Sequence, residues 1–308
     1  MPLDPAAAAV LDALQGAGAP GIETLDPPGA RLVFERLGGP LPPDAFAGVV
    51  ATAERVGGVP CVRVSAVEPR EAAPVVIWVH GGGWVLGTAE GALDIATQLV
   101  LGTGCEVVCV DYRLAPEAPF PAALDDVTAV ARSLVGGPTD RIVIAGDSAG
   151  ANLATVAAAT VPGLAGQVLL YPVTDARCET DSYRRNGHGY LLTAAAMRWF
   201  VGHYLGGGDP DDPRVSPITF TIEELAASPP ALVVTAGFDP LVDEGDAYAA
   251  RLMAAGVEVD AVRLDGQIHG FVGLWRVIPD GSEVLETMTR WIGAATGDGR
   301  ASNPRVVG

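Results

Sequence analysis

A short glycine-rich motif around a serine is the first feature of this sequence that could do chemistry. Gly146-Asp147-Ser148-Ala149-Gly150 follows an apolar run and opens an alanine-rich segment. Small residues on both sides of a serine allow a tight turn from a strand into a helix, and this turn presents the hydroxyl above the edge of a sheet. We therefore predict that Ser148 is a nucleophile for acyl transfer.

A second glycine-rich segment, His80-Gly81-Gly82-Gly83-Trp84, ends another apolar run. Successive glycines allow backbone N–H groups to turn toward one point, and such a cluster stabilises the oxyanion of a tetrahedral intermediate. A dinucleotide-binding loop would need glycine at position 86, where the chain has Leu86. We interpret the segment as an oxyanion loop, with His80 as a residue that orients or packs it.

A serine nucleophile also needs a histidine base and an orienting carboxylate, which in this chain order both follow the serine. The candidate bases are His188, His203 and His269. We predict His269, because it follows an apolar strand, whereas the other two lie in a segment that interrupts the strand and helix pattern. Asp239 leaves the end of the preceding strand and is the predicted acid. Asp243 is its rival, although a place at a helix start makes N-capping the simpler explanation.

The elements that must position these residues alternate between apolar runs and helical patterns. This alternation predicts an α/β fold with a mostly parallel sheet that helices cover on both faces. Asp243 and Ser282 are predicted as helix N-caps. Strands are predicted at residues 75–79, 106–110, 141–145, 167–171, 231–236 and 257–264, and helices at residues 90–101, 122–134, 149–160, 243–255 and 281–294.

Two regions depart from the alternation. Residues 1–45 carry an alanine-rich helix and then a Pro- and Gly-rich stretch from Ala19 to Pro43 without a strand, and residues 176–214 are rich in aromatic side chains. An insertion after the carboxyl end of a strand falls on the edge where open α/β sheets bind ligands. We predict a single catalytic domain, with its core in residues 46–175 and 215–308 and a cap built from the two departing regions.

The composition excludes several classes of function. The chain has 308 residues, of which 49% are hydrophobic and 18% charged, so it can bury a large core. A formal net charge of −18 disfavours nucleic acid and anionic membrane surfaces as partners. All 19 basic residues are arginine. The lack of lysine excludes a P-loop, a pyridoxal phosphate Schiff base and a Ser-x-x-Lys site.

The cysteines and the N-terminus give further expectations. Cys61, Cys105, Cys109 and Cys178 show no metal-binding spacing, and we interpret them as buried free thiols. The first residues lack a basic segment, and the apolar run at 6–14 is too short to span a bilayer. We expect a soluble cytoplasmic protein without membrane insertion, and a homodimer is left open.

Two acidic segments are interpreted as structural. Residues 111–117 (DYRLAPE) leave a strand end, but they precede the serine in the chain, so we expect them to anchor a loop. Residues 209–213 (DPDDP) carry three carboxylates, but their two prolines and the absence of an EF-hand pattern favour a turn over a calcium site. No metal is expected at either segment.

The ordered set of motifs resembles the hormone-sensitive-lipase-like esterases, a branch of the α/β-hydrolases. The set comprises HGGGW at His80, DYRLAPE at Asp111, GDSAG at Gly146, DPRVSP at Asp212, DPLVDEG at Asp239 and HGF at His269. One departure is Ala151, where many members have a second glycine after GDSAG. This difference bears on packing at the serine turn and leaves the chemistry unaffected.

The resemblance implies an eight-stranded sheet, a helical cap and carboxylesterase activity on small apolar esters without a cofactor. It also implies that Ser148, Asp239 and His269 form a catalytic triad and that the N–H groups of Gly82, Gly83 and Ala149 bind the oxyanion. Two other classes stay open at this point. An amidase or acyltransferase would share every motif, and a non-catalytic small-molecule receptor could use the same fold.

Aromatic residues near these motifs predict a bounded substrate pocket. Trp84 directly follows the oxyanion glycines, and the insertion carries Trp199, Phe200 and Tyr204. We predict that these four side chains bind substrate, while packing of the cap onto the core is the competing interpretation. A closed apolar pocket gains from each added CH₂ only while there is room for it. We therefore expect a preference for short acyl chains, near the four to six carbons typical of the resembled family.

Overall fold

The protein is described by a computed structural model that covers residues 1–18, 20–37, 42, 44–70, 73–137, 139 and 141–297. Its centre is an eight-stranded sheet in the order β1-β2-β4-β3-β5-β6-β7-β8. The pairs β1–β2 and β2–β4 are antiparallel and all other pairs are parallel. The strands are β1 Val49–Val56, β2 Val59–Ala66, β3 Val75–Val79, β4 Glu106–Val110, β5 Ile142–Asp147, β6 Gly166–Leu170, β7 Ala231–Phe238 and β8 Val259–Ile268.

The helices connect these strands and add two groups outside the alternation, one at the N-terminus and one between β6 and β7. Short 3₁₀ turns lie at Ile22–Thr24, Glu90–Ala92, Pro217–Thr219 and Phe271–Leu274. The α-helices are α1 Pro5–Gly16, α2 Pro27–Leu37, α3 Leu93–Thr103, α4 Ala122–Val135, α5 Ala149–Thr160, α6 Asp181–Arg185, α7 Ala194–Leu205, α8 Ile222–Leu225, α9 Val242–Ala254 and α10 Pro279–Ala295.

The core consists of two apolar layers, one on each face of the sheet. Side chains of a strand alternate between faces. In β3, Val75, Ile77 and Val79 pack on the face that α4, α5 and α9 cover, whereas Val76 and Trp78 pack on the face that α3 and α10 cover. Every residue of β3 is therefore buried, which confirms the predicted α/β fold with helices on both faces.

The central strands lie where the sequence predicts them, and the first two strands were missed. Strands β3 and β4 have the predicted bounds, because continuous apolar runs suit strands that are buried on both faces. Strand β1 is mostly exposed and reads VVATAERV, so it has no apolar face that could reveal it. Its pairing with β2 extends the sheet to the eight strands that the family resemblance implies.

Two predicted helix caps are wrong. Helix α9 begins at Val242 after Leu241, so Asp243 lies inside the first turn, where its carboxylate accepts from Ser182 N. Helix α10 begins at Pro279, and the Ser282 hydroxyl donates to the carbonyl of Trp275. A proline at the first helical position fits α10, because its missing N–H has no intrahelical acceptor there.

Helix α2 lies within the Pro- and Gly-rich stretch for which no strand is predicted, and the two ends of that stretch, Ala19 and Pro43, lie outside the described residues. Arg31 of α2 donates to the carbonyls of Val85 and Ala115 at 2.9 and 3.0 Å and pairs with Glu117. These contacts bind α2 to the residue that directly follows the oxyanion loop and to the DYRLAPE segment. The DYRLAPE segment thus anchors a loop, as predicted, with Glu117 at its exposed end.

The insertion between β6 and β7 is closed at its base by one buried serine. The hydroxyl of Ser216 accepts from the N–H of Ala176 at 2.8 Å and donates to the carbonyl of Pro210 at 2.6 Å. Asn152 of α5 donates to the carbonyls of Val173 and Val215 near the same place. The cap boundaries at 176 and 214 stay a prediction, and these bonds lie beside them.

Two further expectations concern thiols and membranes. Cys61, Cys105, Cys109 and Cys178 are free and buried, as predicted. Burial raises the pKa of Cys61 and of Cys105 to about 11, which suppresses the reactive thiolate. Among the described residues, no helix is both long and apolar enough to cross a bilayer.

Candidate active site

The serine motif forms a sharp turn between β5 and α5. Ser148 has φ 54° and ψ −120°, a strained conformation for a residue with a side chain. Its flanking glycines are needed for close backbone approach, because a Cβ on Gly146 or Gly150 would collide with the carbonyl of Val79. The turn therefore lies against the end of β3, next to the oxyanion loop, and has the geometry that the sequence motif predicts.

A hydrogen-bonded chain of three side chains starts at this turn. The Oγ of Ser148 lies 2.9 Å from Nε2 of His269, and Nδ1 of that histidine lies 2.7 Å from Oδ2 of Asp239. Ser148 and His269 are each 8% exposed, and Asp239 is 1% exposed. The other carboxylate oxygen, Oδ1, accepts from the N–H of Leu241 at 2.8 Å. The three residues come from the carboxyl ends of β5, β7 and β8.

The rival residues lie elsewhere. Asp243 bonds to Ser182 N and to the guanidinium of Arg185, at 2.8 and 2.7 Å. His203 packs edge-on against Trp199, and His188 is exposed. The structure thus brings together the three residues that chain order selected, and it does not bring their rivals to the serine.

The oxyanion loop has a backbone shape that needs glycine at two positions. Gly82 and Gly83 have φ of 116° and 60°. A Cβ on Gly82 would meet the carbonyl of Leu86, and one on Gly83 would meet the ring of Phe200. Within the described part of the chain, no protein acceptor binds the N–H of Gly82 or Gly83. Ala149 is the first residue of α5, so its N–H also has no intrahelical acceptor.

His80 stabilises this loop, as the sequence suggested. Its Nδ1 lies 2.8 Å from the carbonyl of Gly81, and its ring stacks on Tyr112 at 4.3 Å. The hydroxyl of Tyr112 donates to the carbonyl of His80 at 2.8 Å. Burial lowers the pKa of His80, so the imidazole is neutral and suited to packing.

Asp147 also belongs to this site, although its place in the serine motif predicts no role for it. Its Oδ1 accepts from the N–H of Gly81 at 2.8 Å, which joins the serine turn to the oxyanion loop. Burial is the largest influence on its carboxyl group and raises the pKa to about 6, against the opposing effect of the Gly81 hydrogen bond. Its place beside Ser148 was the only sequence signal, because its partner is 66 residues away.

We expect Asp147→Asn to stabilise the protein at pH 8, because the amide oxygen can still accept from Gly81 without a buried charge. Since the folded-state pKa lies above that of an unfolded aspartate, ionisation costs stability as the pH rises from about 4 to 7. The gain should be on the order of 1 to 3 kcal/mol at pH 8 and vanish near pH 4. Urea unfolding at both pH values measures it, with the exposed Glu258→Gln as control. An equal effect at both pH values would contradict the assignment.

The four predicted pocket aromatics occupy two different environments. Trp84, at the end of the oxyanion loop, and Tyr204 of the insertion are fully buried and stack on each other at 4.4 Å. Phe200 covers Gly83, and Trp199 packs edge-on against Phe200. The stacked rings of Trp84 and Tyr204 pack the cap onto the core. Substrate contact by any of the four side chains stays a prediction.

A cleft of about 560 Å³ opens between the N-terminal helices and the insertion. Leu191 in its wall lies near Gly270, the residue after His269, and Tyr190 contacts Phe238 next to Asp239. Its walls are mainly apolar and include Leu3, Leu11, Leu14, Ile22, Tyr190 and Leu191. Among the described residues, no cluster of three His, Cys, Asp or Glu side chains could bind a metal ion.

A mostly parallel sheet with a strained serine turn, a histidine and a buried carboxylate at its carboxyl edge defines the class of α/β-hydrolases. A family model described as alpha/beta hydrolase fold matches residues 76–273, which is more than half of the chain. The chain belongs to this alpha/beta hydrolase family. The match also supports the resemblance to the hormone-sensitive-lipase-like esterases, which is confirmed by the relatives below.

Several relatives of the chain carry esterase names. It is 39% identical over 224 residues to the carboxylic ester hydrolase LipN of Mycobacterium tuberculosis, a match that covers 67% of this chain and 59% of LipN. It is 37% identical over 251 residues to the carboxylesterase NlhH of the same species, covering 77% and 75%. A solved thermostable esterase from Pseudomonas putida superposes with a TM-score of 0.87 at 32% identity, covering 98% of both chains.

Proposed function

We propose that the protein is a serine carboxylesterase that hydrolyses short- to medium-chain carboxylic esters through an acyl-enzyme. The protein is a carboxylic ester hydrolase, a class that the names of its relatives support. The observation that carries the mechanism is the chain from Ser148 Oγ through His269 to Asp239, with distances of 2.9 and 2.7 Å. Its place beside the free N–H groups of the oxyanion loop fits acyl transfer.

The proposed reaction has two steps. His269 takes the proton of Ser148 as its oxygen attacks the ester carbonyl, and the N–H groups of Gly82, Gly83 and Ala149 bind the resulting oxyanion. The protonated His269 then gives its proton to the leaving alcohol, which leaves an acyl-serine. Water then attacks this acyl group with the same histidine as base. The carboxylic acid is released, and the hydroxyl of Ser148 is restored. Asp239 orients the imidazole and stabilises its charged form.

The apolar cleft between the N-terminal helices and the insertion, whose wall residue Leu191 lies near Gly270, supports a neutral, apolar substrate. Its volume is within the range of small-molecule pockets, about 300 to 1,000 Å³. Among the described residues, the charged ones in its wall are Asp12 and Glu23, and the chain carries a net charge of −18. Anionic esters are therefore disfavoured relative to neutral ones.

A fluorophosphonate probe tests the proposed chemistry directly. The probe should inactivate the enzyme with one adduct per chain, and peptide mass spectrometry should locate the adduct on Ser148. Ser133→Ala, which removes an exposed serine of α4, is the control and should label normally. Labelling at another serine, or turnover of nitrophenyl esters by the fully labelled protein, would refute the proposal.

Parallel assays with the matching anilide and with an added alcohol separate amidase and acyltransferase activity.

We expect kcat/KM on nitrophenyl esters to peak at acyl chains of about four to six carbons, because an apolar pocket gains about 0.8 kcal/mol per CH₂ only while it has room. Phe200 covers Gly83 of the oxyanion loop, so Phe200→Ala should move this optimum upward. The octanoate to butanoate ratio should rise about tenfold. Phe34→Ala, which removes a part-exposed ring from α2, is the matched control and should leave the ratio unchanged. A wild-type profile that rises steadily to long chains would contradict the bounded pocket.

Location is a separate proposal. We predict a cytoplasmic protein, and fractionation of cells that express the full chain measures it. Recovery of the esterase activity in the membrane pellet or in the medium would contradict the prediction.

A further inference from the structure

A buried amide of the insertion contacts the loop that carries Asp239. Asn186, the residue after α6, is 7% exposed, and its Nδ2 donates to the carbonyls of Gly237 and Asp239, both at 3.0 Å. We propose that Asn186 is a positioning residue that fixes the carboxylate of Asp239 opposite His269. This inference rests on the proposed function, because it concerns the acid of the proposed triad.

The loop around Asp239, residues 237–241 and here called the acid loop, needs such a partner because β7 pairs irregularly with β8 where the loop begins. The pairing of β7 with β8 shifts register between Ala236 and Phe238. Gly237 lies so close to the backbone of Asp265 that a Cβ would collide with it. Buried carbonyls without donors are costly, and the loop turns two of them toward the insertion. A side-chain amide has two N–H donors, so one asparagine satisfies both carbonyls.

Asn186 is itself fixed by α6. Its backbone N–H donates to the carbonyl of Ser182 at 2.7 Å. The hydroxyl of Ser182, a fully buried residue, donates to the carbonyl of Pro240. Ser182 and Asn186, here called the acid-loop clamp, therefore bond to the chain on both sides of the Asp239 side chain.

The contacts of the carboxylate make its position depend on this loop. Its Oδ1 accepts from Leu241 N within the loop, and its Oδ2 lies 2.7 Å from His269 Nδ1. A shift of the loop by a fraction of an ångström would lengthen the second bond, and small misplacements of catalytic groups have large effects on rate. A merely structural clamp would instead change the fraction of folded enzyme and leave each folded molecule fully active.

Electrostatics can separate these two roles. The ionisable groups near His269 are Asp239, Asp147 and the phenol of Tyr171, whose ring lies 4.7 Å from the imidazole. Asn186 is neutral, so its replacement by a neutral residue adds and removes no charge. If Asp239 moves away, the imidazolium loses stabilisation and the histidine becomes an active base at lower pH.

The test compares Asn186→Leu, which has similar size but no donor, with wild type and with Arg184→Gln. Arg184 lies on the exposed face of α6 and pairs with Asp181 of the same helix, so its replacement is the matched control. Fluorophosphonate titration gives the active fraction, and kcat is expressed per active site. We expect kcat of Asn186→Leu to fall about 10- to 100-fold with KM within about twofold. The pH at half-maximal kcat/KM should move downward, and Arg184→Gln should match wild type in all three.

A double variant sharpens the test. If Asn186 acts through Asp239, then Asn186→Leu should have no further effect on kcat in an Asp239→Asn background. Additive losses in the double variant, or a wild-type kcat per active site with an unchanged pH profile in Asn186→Leu, would overturn the inference. If Asn186→Leu does not fold, Asn186→Ala and Ser182→Ala undergo the same measurements and are subject to the same outcomes.

The two levels of the proposal fail differently. Should the fluorophosphonate fail to label Ser148, the proposed function itself fails. Should Asp239→Asn keep wild-type kcat, the acid is wrongly assigned and the inference about Asn186 fails with it. Should Asp239→Asn lose activity while the variants of Asn186 and Ser182 keep it, only the acid-loop clamp is wrong.

Discussion

Ser148→Ala and His269→Ala should each lower kcat on a short-chain nitrophenyl ester by a factor of about 10⁴ to 10⁶. Alanine at 148 removes the attacking oxygen, and alanine at 269 removes the base 2.9 Å from it. The loss should appear in kcat with little change in substrate affinity, because neither side chain is needed to bind an apolar ester. Steady-state kinetics on highly purified protein measures the effect.

The melting temperature of each variant is the control that shows whether it still folds. Ser148 has a strained backbone and is mostly buried, so a truncated side chain should leave the melting temperature unchanged or slightly raised. The double variant should be no worse than either single variant, since residues that act as a unit are not additive. A tenth of wild-type activity in Ser148→Ala, after contamination is excluded, would end the nucleophile assignment.

Asp239→Asn should lower kcat by about 10³ to 10⁴. Leu241 N needs an acceptor, so the amide oxygen of the new asparagine would stay with it and the amide nitrogen would face His269 Nδ1. The amide nitrogen can only donate, so Nδ1 of His269 would have to accept its hydrogen bond, which places the imidazole proton on Nε2, toward the serine. A histidine in this tautomer cannot take the serine proton.

Asp243→Asn is the comparison for this prediction. Its amide oxygen can still accept from Ser182 N, and only the charge pair with Arg185 is lost. We expect a loss of about twofold or less in kcat, in line with the small effect of exposed ion pairs. The two variants are compared by kcat per fluorophosphonate-titrated site. A larger loss in Asp243→Asn than in Asp239→Asn would transfer the acid role to Asp243.

The sequence predicts the central strands of the sheet, but it predicts neither the edge strand β1 nor helix α6 of the insertion. The runs at 75–79 and 106–110 are apolar on both faces, a pattern that a central parallel strand requires. Strand β1 is largely exposed on both faces, so its stability comes from pairing with β2, which no local pattern records. Helix α6 has five residues, too few to show a period of 3.6.

The functional residues also fall into those that the sequence predicts and those that only the structure reveals. Ser148, Asp239 and His269 could be selected because each follows a recognisable strand and because their chain order is restricted. Asp147 and Asn186 could not be given a role, because their partners are 66 and 51 to 53 residues away. Their contacts depend on how β3, β5, β7 and the insertion come together. Local sequence carries no record of that packing.

The bonds of Arg31 bear on how such proteins can be recombined. A chimera that receives its first 45 residues from another family member would bring a foreign side chain to the carbonyls of Val85 and Ala115. Without an arginine there, both carbonyls and the carboxylate of Glu117 would lose their donors, beside the loop that carries Gly82 and Gly83. Transplanted N-terminal segments should therefore function in this host only when the graft itself carries an arginine at this place. A single side chain of the N-terminal segment thus decides whether the segment is compatible with its host.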